Sequence, residues 1–180
     1  MKKLGERIYL RPLQLGDAKK MVATSKIDEF RYLTGTAKPF TLLQVEEHIV
    51  KISNDDSRCD LAICLNDTDQ MIGELSIMDI DEMNQSAGFR IAMINIQQTG
   101  KGYGTEAIDL VLNFVFEELC LNRLQLEVYS YNLRGIKAYE KAGFVKEGAL
   151  REALFINGNY SDEIIMSILR SEYKKIKTHS

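Results

Sequence analysis

One segment constrains the fold more than any other. Residues 87–129 read as strand, glycine-rich loop, amphipathic helix and strand. Residues 87–96 form an apolar, strand-like run. Gly100-Lys101-Gly102-Tyr103-Gly104 follows, with glycine at alternate positions. Over residues 104–119, Ile108, Val111, Leu112, Val115 and Leu119 recur at helical spacing, which gives one apolar face. Residues 123–129 then alternate, with Leu124, Leu126 and Val128 on one side, the period of a strand. Two strands joined through a helix in one sheet run parallel, with a right-handed crossover. An all-helical or all-antiparallel fold is thereby excluded.

The other elements fit around that unit. Residues 7–11 alternate and Pro12 edges them, so a strand opens the chain. Asp17 can cap a short helix through about Ser25. Thr41-Leu42-Leu43-Gln44 matches a capping box, and Val45, Ile49 and Ile52 predict a helix over 42–53. Residues 61–65 and 71–80 are strand runs separated by polar turns, and with 87–96 they predict an antiparallel meander. Asn132 can cap another helix, which Gly143 ends. Strands over 150–156 and 160–169 close the chain, joined by the two-residue hairpin signal Asn157-Gly158. The fold class is α/β, with a mixed central sheet of about seven strands and flanking helices.

Composition narrows the function. The chain has 180 residues, which suits one domain spanning 1–180. Lys plus Arg number 23 and Asp plus Glu 26, for a net charge of -3. Nucleic acid held by a general basic surface is therefore not an expected partner. No apolar run approaches the roughly 20 residues of a membrane span, and no apolar stretch follows the first lysines as in a secretory signal. Cys59, Cys64 and Cys120 are an odd, unpaired set, read as free thiols of a cytoplasmic protein. Cys120 ends an amphipathic helix and reads as core. Two histidines, His48 and His179, supply neither a histidine-rich metal site nor Ser-His-Asp chemistry.

The glycine loop carries the chemistry. Its exposed amides and the helix N-terminus beyond it suit a phosphate or pyrophosphate, and Lys101 adds a cation. Lys101 is followed by Gly102 rather than Ser or Thr, so it is not a Walker loop. Thr105 stands where a dinucleotide fingerprint needs its third glycine. A glycine-rich turn without a ligand stays open on these residues alone.

Residues 99–107, Thr-Gly-Lys-Gly-Tyr-Gly-Thr-Glu-Ala, and residues 132–144, opening Asn132-Leu133-Arg134-Gly135 and containing Tyr139 and Lys141, complete a pattern. It closely resembles the GCN5-related N-acetyltransferases, the GNAT superfamily. Arg11-Pro12-Leu13, Glu147-Gly148, Arg151, Asn157-Gly158 and Tyr160 are similar to the branch of ribosomal-protein alanine and spermidine/spermine N-acetyltransferases. The resemblance implies a single GNAT-type domain whose sheet splays between its two central parallel strands. It implies acetyl-CoA as donor and an amine as acceptor, with no metal.

It also implies roles. Thr99, Gly100, Lys101, Gly102, Tyr103 and Gly104 hold the pyrophosphate, although Thr99 stands where the family has Arg or Gln. Backbone groups of Ile91, Ala92 and Met93 run along the pantetheine arm and supply the oxyanion donor. Asn132 touches the same arm; Arg134, Lys137 and Lys141 can reach the phosphates or form a solvated helix face, the latter being the reading for Lys137. Tyr139 is the general acid for the departing thiolate, although it also reads as a packed helix tyrosine beside Ile136 and Gly143.

The base is less determined. Glu74, Asp79, Asp81 and Glu127 are the candidates, each also readable as a solvated strand or turn residue, and Glu74 comes first. Glu106 and Arg90 read as surface or salt-bridge residues. The early helices and final hairpin are the implied acceptor walls, and Asp79, Asp81 and Glu82 form an acidic turn able to attract a cation. Residues 30–38 lack the acidic cluster expected of a polyamine enzyme. The acceptor is then a small amine such as a polyamine, or a protein N-terminus. An exposed strand edge beside the splay can support a homodimer. The alternative is a CoA-binding module without catalysis.

Overall fold

The computed structural model describes residues 2–94 and 100–178. Its strands are β1 (Lys3–Leu4), β2 (Ile8–Pro12), β3 (Cys59–Leu65), β4 (Met71–Asp81), β5 (Ser86–Met93), β6 (Arg123–Tyr129), β7 (Val145–Ile156) and β8 (Asn159–Leu169). The helices are α1 (Ala18–Ser25), α2 (Asp28–Thr34), α3 (Leu42–Ile52), α4 (Tyr103–Asn113), α5 (Leu133–Lys141) and α6 (Arg170–Thr178). All the strands join one sheet, in the order β1-β2-β3-β4-β5-β6-β8-β7. The strand beyond the expected seven is the two-residue β1.

Alternation along the strands sorts side chains onto two faces. Ile8, Leu10, Leu61 and Ile63 join Ile108, Val111 and Leu112 of α4 in the main core. Tyr9, Ala62 and Cys64 point the other way, on the side of α1, where Ala18, Val45 and Ile49 lock α1 to α3. The result is three layers, helix on sheet on helix.

β2, β3, β4 and β5 pair antiparallel, as the meander predicts. β5 and β6 are parallel, but their register ends after Ser86↔Arg123, Ala87↔Leu124 and Gly88↔Gln125. Beyond Gly88 the two strands splay, while β5 stays paired to β4 as far as Gly73↔Met93. Thr41 and Gln44 form the capping box, the Gln44 amide donating to Thr41 Oγ1 at 3.2 Å. Asn157 (φ 51°) and Gly158 (φ 79°) take the left-handed turn between β7 and β8.

Four expectations need correction. Asp17 precedes α1 but no cap hydrogen bond forms. Its carboxylate instead takes two bonds of 2.7 Å from Arg11, because a bidentate charged pair outweighs one cap bond. The helix read over 104–119 ends as α at Asn113, and Phe114–Glu118 widens to a π-turn. Cys120 is exposed rather than core, at φ 57° just after that turn. β7 starts at Val145, five residues before the expected strand.

Candidate active site

The glycine loop delivers the chain into α4 through Gly102, at φ 86°. No side chain caps the first turn of α4 among the described residues. The amides there point at whatever lies before the helix, with its positive dipole end behind them. Arg7, just before β2, pins the loop. Its Nη1 donates to the Lys101 carbonyl at 2.9 Å, and its guanidinium lies 5.0 Å from the Tyr103 ring centroid. Glu106 Oε2 accepts from Arg7 Nε at 3.0 Å, and Glu106 Oε1 accepts from the Arg7 amide at 2.8 Å. Glu106 is thus the salt-bridge residue the sequence suggests, and it ties strand, loop and helix together. Sequence reasoning missed Arg7, because its partner is 99 positions away.

A cavity of about 370 Å³ fills the splay. Ile91, Ala92, Met93 and Ile94 line one side of it. Gly100, Gly102, Gly104 and Thr105 line the loop end, and Asn132, Arg134, Tyr139 and Lys141 come from the α5 side. Most of the expected site residues therefore meet in one space. Lys101 and Tyr103 are not among the lining residues. Tyr103 instead packs against the core under Arg7. Thr99 lies outside the described residues.

Asn132 positions α5 as it lines the cavity. Its Oδ1 accepts from the Gly135 amide at 3.0 Å. Tyr139 is 8% exposed and packs edge-on to Phe144, with ring centroids 5.8 Å apart. Burial pushes its phenol up to about 12, so it keeps its proton at neutral pH.

Glu74 stands on β4 directly opposite Ala92 of β5. It is not a lining residue. Its Oε2 is sealed from solvent with no hydrogen-bond partner among the described residues. Burial pushes the carboxyl up; Arg90 pulls it down by less, while Asp60 and Asp17 add to the rise. The other carboxylates lie elsewhere. Asp79 and Glu127 line a separate cleft with Arg123 and Gln125. Asp81 holds the β4–β5 turn by accepting from the Asn84 amide at 2.9 Å. That acidic turn, with Glu82, is at the opposite end of the β4–β5 hairpin from the cavity, so it does not serve the acceptor side.

The early helices do form a wall, through Thr24 of α1, the linking Ile27, and Phe30, Leu33 and Thr34 of α2. The final hairpin contributes no lining residue. Sequence reading gave no helix over α2, whose residues include none that is fully buried. Its end is fixed by stacked rings: Tyr32 and Tyr131 lie 4.2 Å apart, and Tyr131 and Tyr129 5.7 Å apart. Among the described residues no group of three or more His, Cys, Asp or Glu side chains can hold a metal, and no helix is long and apolar enough to cross a membrane.

Comparison with known proteins agrees with this geometry. Residues 7–145 match the acetyltransferase (GNAT) domain. The chain is 31% identical over 172 residues to the SPbeta prophage-derived uncharacterized N-acetyltransferase YokL of Bacillus subtilis, covering 94% of each. It is 38% identical over 103 residues to a spermidine N(1)-acetyltransferase of Vibrio cholerae, covering 57% of this chain and 59% of that one. The crystal structure of spermidine N-acetyltransferase from Vibrio cholerae in complex with CoA and spermine superposes with a TM-score of 0.87 at 28% identity, over 94% of this chain and 99% of that one. The glycine loop, the splayed parallel pair and the match over 7–145 together mean that this chain belongs to the acetyltransferase (GNAT) domain family.

Proposed function

We propose that the protein moves the acetyl group of acetyl-CoA to a primary amine by direct attack in a ternary complex. The observation that carries this is the single cavity lined by the glycine loop, the free edge of β5 and Tyr139. It supports a donor held at one end and an amine admitted from the other.

The residues fit the donor. The amides at the head of α4 suit a pyrophosphate, and Arg134 and Lys141 bring positive charge to the same lining. Past Gly88 the β5 edge facing β6 has no strand partner, which leaves backbone groups to pair with the amides of a pantetheine arm. A backbone N–H of residues 91–93 there donates to the oxyanion as charge develops on the carbonyl oxygen.

Proton transfers complete the chemistry. An amine of ordinary pKa near 10.4 is neutral only about once in a thousand at pH 7, so its proton needs a destination. Glu74 is the acceptor we assign, reached through water because it lies one strand away from β5 and does not itself line the cavity. Tyr139, which keeps its proton at neutral pH, donates it to the departing thiolate.

Thiol release from acetyl-CoA in the presence of polyamines, simple amines and peptide amines tests this. Transfer to an amine is the expected result. Acetyl-CoA binding without transfer to any acceptor would identify a CoA-binding module instead, and absence of binding would defeat both.

A further inference from the structure

The acceptor class can be read from the wall that α1 and α2 present, taking the acetyltransferase reading above as given. Ile27, Phe30 and Leu33 line this side together with Met93 and Ile94 of the β5 side. The two hydroxyls of the wall give their protons to main-chain carbonyls and carry no charge to offset an ammonium. Thr24 Oγ1 donates to the Lys20 carbonyl at 2.9 Å, and Thr34 Oγ1 donates to the Phe30 carbonyl at 2.8 Å. The charged side chains of the lining are Arg134 and Lys141, both cations and both on α5. No carboxylate lines the cavity among the described residues, and residues 95–99, Asn-Ile-Gln-Gln-Thr, contain none in sequence. Glu74, one strand away on β4, is not a lining residue, and Asp28, at the start of α2, is paired with Arg31.

A polyamine brings further ammonium groups beside the one that reacts. Each loses hydration on entry and needs a carboxylate in exchange. An apolar substituent gains by leaving water for the same wall. We propose that the acceptor is a primary monoamine with an apolar substituent, arylalkyl or branched alkyl, seated against Ile27, Phe30 and Leu33.

The test measures kcat/KM for phenethylamine, spermidine and a short peptide amine, with acetyl-CoA affinity determined separately by calorimetry. Phenethylamine should exceed spermidine by about tenfold or more, the scale on which pockets discriminate. Phe30→Ala should raise KM for phenethylamine about tenfold through lost apolar contact, with acetyl-CoA affinity unchanged. Ile27 is 38% exposed, so Ile27→Glu should fold normally. It should raise kcat/KM for spermidine about three- to fivefold, the worth of an exposed ion pair. A parent enzyme that prefers spermidine or the peptide overturns the acceptor inference and leaves the acetyltransferase reading intact. Acetyl-CoA bound without transfer to any of the three overturns both.

Discussion

Glu74 faces Ala92 across the β4–β5 ladder, so a sealed carboxylate oxygen lies one strand away from the backbone that lines the cavity. Burial raises its pKa above the ordinary 4.5. The folded chain therefore holds this proton more tightly than the unfolded chain. That stability is complete below the unfolded value and is lost as pH rises through the folded one. Glu74→Gln has no such proton to lose. Its stability by urea denaturation should gain on the parent as pH rises above the ordinary carboxyl value of 4.5. The acid limb of the parent's kcat/KM profile should also disappear. A pH-independent stability difference would contradict the buried carboxylate's role.

Arg7 and Glu106 make the loop a fixed feature. Losing charge-assisted bonds of this kind costs about 1.5–3 kcal/mol. Arg7→Ala should therefore raise KM for acetyl-CoA at least about tenfold, with KM for the amine little changed. Initial rates at varied concentrations of each substrate check this.

Gly102 combines a left-handed backbone with close approach. A Cβ there would stand 3.2 Å from Arg7 Nη2, and φ is 86°. Gly102→Ala should cost about 1–2 kcal/mol at that loop, read as acetyl-CoA binding weakened roughly five- to thirtyfold by calorimetry.

Gly35 closes α2 at φ 66°, where a Cβ would meet the Tyr129 ring at 2.6 Å. Gly35→Ala should lower unfolding free energy by about 2–4 kcal/mol, from left-handed strain plus overpacking. Denaturant titration measures it.

The sheet meander, the parallel crossover and the final hairpin were legible because their signals are local: alternation, helical spacing and Asn157-Gly158. α2 was not, because it is seven residues long with no fully buried side chain. α6 was not either, since Tyr173 is its only buried residue. Asp17 is a good cap by type, yet Arg11 claims it. Asn132 was legible as a helix cap from local sequence, and the place of Tyr139 beside the cavity through family resemblance. The wall of Ile27, Phe30 and Leu33 carries no reactive group, so only the folded cavity reveals it. Glu74 was visible as a carboxylate, but its isolation depends on what packs over it.

The proposed chemistry turns on proton donation by Tyr139 to the leaving thiolate. Its most direct test is kcat of Tyr139→Phe, with acetyl-CoA affinity measured on the same protein. The account predicts a fall in kcat of about a hundredfold or more, the usual contribution of general acid catalysis, with affinity changed by less than about twofold. A kcat within about threefold of the parent would contradict it.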